Sequence, residues 1–212
     1  MKAFEKWNFE EVEETFGIKR TKKLDALTNW ISQKNEISKE IEKQLIDLRT
    51  QLQDNAEIWN EDELKFYFLG RFVSLINFDT DRFKSFLHRK VSAQFGDETL
   101  SGNVDFVVAT GKQEPRNPFF FLHEYKQERK RENDPLGQVL IAMIAAQMRN
   151  NNNKPVLGCY VVGRLWFFLV LENKEYSVSL AYDATQEDIF QIYSILQQAK
   201  ANINEYFDSL EK

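Results

Sequence analysis

The sequence predicts an α/β protein in which a mixed β-sheet is flanked by helices, and three observations carry that prediction. Apolar residues recur at helical spacing in two stretches, 37–52 and 64–76. Three extended apolar segments then succeed one another between 82 and 126. A helix-forming stretch separates these from a further strand at 156–162. Strands in a run, then a helix, then another strand argue a mixed sheet covered by helices rather than a regular βαβ repeat.

Residues 1–59 read as helices and are expected to form an N-terminal helical arm on a domain spanning 60–212. Asn8 followed by Glu11 has the form of a capping box, with Gly17 as the stop. A second helix is expected over 21–32. Ile37, Ile41, Leu45, Leu48 and Leu52 make one apolar stripe, suited to packing on the main domain or on a second copy of the chain. A homodimer through these helices is one expectation, although the repeat lasts barely two heptads.

From residue 60 the pattern changes. Asn60 with Glu63 is another capping box, and the helix behind it runs from 64 to Asn77. Strands are expected over 82–95, 99–109 and 119–126, broken at Gly96-Asp97 and by a loop with Pro115. Asp134-Pro135 suits a helix start, and the Ala-, Met- and Leu-rich body 136–148 stops at an asparagine run. A fourth strand, 156–162, turns at Gly163-Arg164 into an added hairpin, 165–171 with 176–180, and helical sequence closes the chain.

The chemistry is expected where the second and third strands meet. Side chains alternate along a strand, so Glu124 and Lys126 share a face with Leu122 and Phe120, while His123 and Tyr125 take the other. Asp105 enters an apolar strand, where a carboxylate is costly unless it is paired or binds a metal. Antiparallel pairing brings the start of one strand beside the end of the next and so sets Asp105 beside Glu124. Two carboxylates and a lysine suit phosphodiester hydrolysis. The carboxylates hold Mg2+, with Mn2+ as a substitute, and Lys126 orients the attacking water or stabilises the transition state. Three other Glu-x-Lys pairs, Glu63/Lys65, Glu128/Lys130 and Glu172/Lys174, read as solvated charge.

Val104-Asp105 followed by Glu124-Tyr125-Lys126, in this order of elements, resembles the PD-(D/E)XK nuclease superfamily. The segment from Glu124 to Gln138 is similar to bacterial proteins related to the N-terminal nuclease region of type I restriction subunits. The resemblance covers about half the chain, and Val104 stands where the family carries proline. It implies a restriction-endonuclease-like α-β-β-β-α-β core and a metal-dependent nuclease, with DNA as the expected substrate. It also implies a further metal-site acid on the first core helix, Glu61 or Glu63, and a site glutamine, Gln138. The alternative is a non-catalytic module on the same fold that binds nucleic acid or protein.

The remaining features narrow the class. A net charge of −5 argues against a protein that coats DNA non-specifically, though local basic residues can still receive phosphate. Arg82, Lys84, His88, Arg89 and Lys90, with Lys126, Lys130 and Arg131, are candidates for that role. Cys159 is the single cysteine, expected as a buried hydrophobe, and no intrachain disulfide can form. The N-terminus has no apolar leader, and the longest apolar run, 165–171, is too short to span a membrane. A complete, cytoplasmic chain is the expectation. No zinc-type cluster, phosphate-binding glycine loop or Ser-His-Asp signature is present.

Overall fold

A computed structural model describes residues 2–128 and 134–210. It is a mixed α/β fold around one open sheet of mixed strand orientation. The elements are α1 (Phe9–Phe16), β1 (Lys19–Arg20), α2 (Asp25–Ile31), α3 (Lys39–Asn55), α4 (Glu61–Glu63) and α5 (Gly70–Ile76). They continue with β2 (Lys84–Phe95), β3 (Glu98–Thr110), β4 (Arg116–Lys126), α6 (Pro135–Asn150), β5 (Val156–Val162), β6 (Leu165–Glu172), β7 (Glu175–Val178), β8 (Tyr182–Asp183) and α7 (Asp188–Leu210). The sheet order is β1-β7-β6-β5-β4-β3-β2, with β8 also on β6. Hairpins make β2/β3, β3/β4, β5/β6 and β6/β7 antiparallel, whereas α6 crosses over between β4 and β5 and leaves those two parallel.

Alternation along the strands feeds two cores. Phe106, Val108, Phe121, Cys159, Trp166 and Phe168 pack under α2, α3, α5 and α7. Val107, Ala109, Leu122, Leu169 and Leu171 pack under α1 and α6. The N-terminal residues contribute to both. Leu45, Leu48 and Leu52 are buried in the first core and Phe4, Trp7, Val12 and Phe16 in the second, while β1 adds a parallel strand beside β7. The apolar faces of residues 1–59 are thus buried against the sheet layers. The leucines of the 37–52 stripe pack on the main domain, the first of the two partners the stripe suits.

Three local departures from the expected pattern shape the end of β4 and its surroundings. Between the two caps of the first core helix, Leu64–Leu69 is π-helical, joining α4 to α5 without a break. On β4, Ala109 pairs with Phe119 and Val108 with Phe121, so Phe120 is an extra residue in a bulge. Phe120 consequently packs with Phe83, Tyr206 and Phe207 rather than sharing a face with Leu122. Finally, β2 and β3 change phase together. Phe86 and Val91 lie in one core despite their odd spacing, and so do Val104 and Val107. The break falls at His88, φ +48°, which lies opposite Asp105.

Leu48 tests the placement of the stripe. Leu48→Ala is expected to cost ~2–5 kcal/mol of stability, as for other buried leucines. Urea denaturation is expected to give a midpoint independent of protein concentration, since the leucine fills an intramolecular core.

Candidate active site at the end of β4

The ladder between β3 and β4 runs no further than the pair Phe106 and His123. One residue beyond, the Asp105 carboxylate replaces it: Oδ2 accepts the Tyr125 backbone N–H at 2.9 Å. On its other side β4 stays paired through Lys126 and Val162, and Gly163 N–H donates to the Lys126 carbonyl at 2.8 Å. Thus β4 is held rigidly by β5 while β3 peels away, and the opening is lined by charge.

Five charged side chains meet there. Lys126 Nζ donates to Glu124 Oε1 at 2.7 Å and lies 3.9 Å from Glu61 Oε2. Lys65 Nζ donates to Glu61 Oε1 at 2.6 Å and to Asp105 Oδ1 at 2.8 Å. Glu61 and Lys65 are one helical turn apart on the segment from α4 into the π-helical stretch, so that segment bridges the two strands. The two strand carboxylates do not reach the opening from the same side. Glu124 alternates with Leu122, which packs under α6, whereas Asp105 is met by Lys65 from the opposite layer. They are linked at the opening through Lys65, Glu61 and Lys126, beside the phase break in β3.

The acids differ in character. Glu124 is 9% exposed, and its carboxyl is pushed up to about 7 by burial and by the charge of Asp105, with Lys126 and Lys65 acting against the rise. Burial alone would lower Lys65, but Asp105 and Glu61 hold its ammonium above the ordinary value. Among the described residues, no group of three His, Cys, Asp or Glu side chains is arranged to hold a metal ion. The donor chemistry nonetheless fits a hard dication such as Mg2+, which takes one or two carboxylates and keeps most of its waters. Asp105 and Glu124 are the two strand carboxylates that could hold such an ion, with Glu61 beside them.

The other candidates divide. Glu63 closes the capping box on Asn60, accepting its backbone N–H at 2.8 Å, and makes no described contact with Asp105, Glu124 or Lys126. Gln138 is 4% exposed in the first turns of α6, and among the described residues its Oε1 has no partner, which is unusual for a buried amide. His123 is buried among Phe106, Phe121, Tyr125 and Trp166, and burial holds its imidazole well below the usual range. Of the expected basic surface, Arg82 pairs with Asp208 and Arg89 lies 3.8 Å from Glu114; Lys130 and Arg131 lie outside the described residues. Lys65, which beside Glu63 has the sequence pattern of solvated charge, is instead a member of the cluster. Its signal is the i,i+4 partner Glu61, which places it on the same side of the helix.

No protein-family model matches the chain, and comparison with the curated proteins finds no significant match. Among the described residues no helix is long and apolar enough to cross a membrane.

The raised Glu124 carboxyl fixes a pH dependence. Its value is about 7 in the fold against 4.5 for the free side chain. Between these the folded state keeps a proton that the unfolded chain releases, so stability is greatest below the lower value and falls as pH rises. A loss of ~3 kcal/mol across that window is expected for the metal-free protein. Urea denaturation in EDTA is expected to show this loss in the wild type and a flatter profile in Glu124→Gln.

Proposed function

We propose that this chain is a metal-dependent nuclease of the PD-(D/E)XK type, hydrolysing phosphodiester bonds in nucleic acid, with DNA as the substrate. The observation that carries the proposal is the chain of ion pairs that links Asp105, Lys65, Glu61, Lys126 and Glu124 where β3 leaves β4. The order of the helix before β2, then β2, β3, β4, α6 and β5 supports a restriction-endonuclease-like core.

Asp105 and Glu124 would hold the divalent ion, Mg2+ or Mn2+, and Glu61 would serve it from the margin. Bound there, the ion supplies Lewis acidity toward a phosphoryl oxygen and makes a bound water more acidic. Lys126, 15% exposed and tied to Glu124, orients the attacking water and donates to the charge that develops on the phosphate. Lys65 holds Asp105 in position, and Gln138, buried in the first turns of α6, is the further site residue that the resemblance implies. With its one cysteine buried, the protein is proposed to work in the cytoplasm.

One observation favours a second reading, a non-catalytic binding module. The five charged groups already pair among themselves, so the cluster can be satisfied without a metal. Calorimetric titration with Mg2+ and Mn2+, run beside a cleavage assay, separates the two. A nuclease is expected to bind metal, to lose binding in Asp105→Ala, and in Lys126→Ala to keep it while cleavage drops at least ~100-fold. Cleavage that persists in Lys126→Ala sinks the assignment. No metal binding, or binding unchanged in Asp105→Ala, favours the module.

A further inference from the structure

One cavity of about 550 Å3 opens directly onto the charged cluster, sharing Lys65 and Asp105 with it. It lies between the helix carrying Lys65 and the β2/β3 hairpin. Its volume is that of a small-molecule site. Its composition is unlike that of a phosphate site. Leu69, Val73, Phe78, Leu87 and Phe106 make apolar walls, and the carboxylates Asp62, Asp79 and Asp105 stand against the single ammonium of Lys65. That ammonium is already shared between Glu61 and Asp105. Phosphate is repelled from such a lining. A nucleobase fits it, because a base has flat apolar faces and a polar edge whose N–H groups donate to carboxylates.

Both backbone irregularities near the site border this cavity. The π-helical stretch contributes Lys65 and Leu69, and the strained His88, at φ +48°, stands on the facing strand. Deviations of this kind concentrate where a ligand is held. Here the π turn ends at Gly70, whose N–H bonds to the Lys65 carbonyl, leaving no side chain on that part of the wall. The His88 kink accompanies the phase change and lies opposite Asp105.

We propose that the cavity receives one unstacked nucleobase next to the scissile phosphate, so that the substrate is single-stranded or frayed nucleic acid rather than intact duplex. This rests on the nuclease reading of the adjoining cluster. A base in a duplex is stacked and paired, and reaches a cavity walled by a helix and a hairpin only after leaving the stack.

The test measures fluorescence anisotropy in EDTA, with a labelled single-stranded oligonucleotide, the same strand with abasic positions, and a blunt duplex of the same sequence. The intact strand is expected to bind about tenfold tighter than either of the others. Ser74→Trp fills the rim from an exposed helical position and is expected to remove that preference. Leu87→Ser, at a β2 residue that is itself 64% exposed, is expected to weaken it several-fold, so the result does not hang on one variant folding. Equal affinity for the intact and abasic strands overturns the proposal, and so does an absence of binding or a preference unchanged in both variants. Cleavage with Mg2+ or Mn2+ is scored separately. Base-dependent binding without cleavage removes the catalytic reading alone, and cleavage without base dependence removes only the cavity assignment.

Discussion

The site depends on one substitution of partners: the Asp105 carboxylate takes the Tyr125 N–H that a continuing β3 backbone would otherwise hold. Ending a ladder inside a sheet leaves buried peptide groups without partners, and each costs free energy comparable to a lost hydrogen bond. Asp105 removes that cost for one N–H and leaves its second oxygen facing the opening. Its own charge must then be balanced, and Lys65 does so from the facing helix. The same helix brings Glu61 to Lys126, and Lys126 is tied to Glu124. Removing one member of such a partly buried chain exposes the next to an unpaired charge, so the five residues form one unit rather than a set of surface pairs.

How much of this is legible in the sequence depends on which interactions are local. Capping boxes at Asn8 and Asn60 involve residues three apart, and both are formed as their spacing implies. Strand positions are marked by apolar runs, and the neighbouring strands pair as hairpins. Alternation fails where the backbone is irregular. The bulge at Phe120 and the joint phase change at His88 and Asp105 have no signature in a count by twos. Lys65 escapes notice for a related reason. Beside Glu63 it has the look of solvated charge, and its role depends on a contact with Asp105 forty residues away. The N-terminal helices show the same limit. Their amphipathic faces are legible, but an apolar stripe does not say whether it will meet a sheet or another copy of itself.

The charge distribution bears on how a chain of net charge −5 engages a polyanion. Long-range attraction is weak for such a protein, and several of its arginines are neutralised in pairs: Arg49 with Glu187, Arg82 with Asp208, and Arg164 with Glu128 and Asp183. On the proposed reading, short-range contacts at the site would then contribute to binding. A hard dication on the carboxylates and an apolar slot beside them provide two such contacts of different kinds, one for the phosphate and one for the base. On the proposed reading, the apolar slot favours a substrate with accessible bases. Duplex DNA offers mainly its phosphate backbone to such a surface, whereas an unpaired strand also offers its bases.

The buried acid gives this arrangement a direction. Glu124 without metal is dehydrated beside another carboxylate, and a shared proton or a neighbouring ammonium is what makes its burial tolerable. On the proposed reading, a dication held by Asp105 and Glu124 would relieve the same repulsion in place of that proton. Lys126 would then no longer be required as a counter-charge of Glu124, and its amine would be available to the water and the phosphate. The ion pairs of the metal-free cluster and the catalytic groups of the proposed nuclease are therefore the same side chains in two states of charge compensation. The pairing that lets the fold tolerate these groups at the end of β4 is also what keeps them oriented toward the place where the phosphate would arrive.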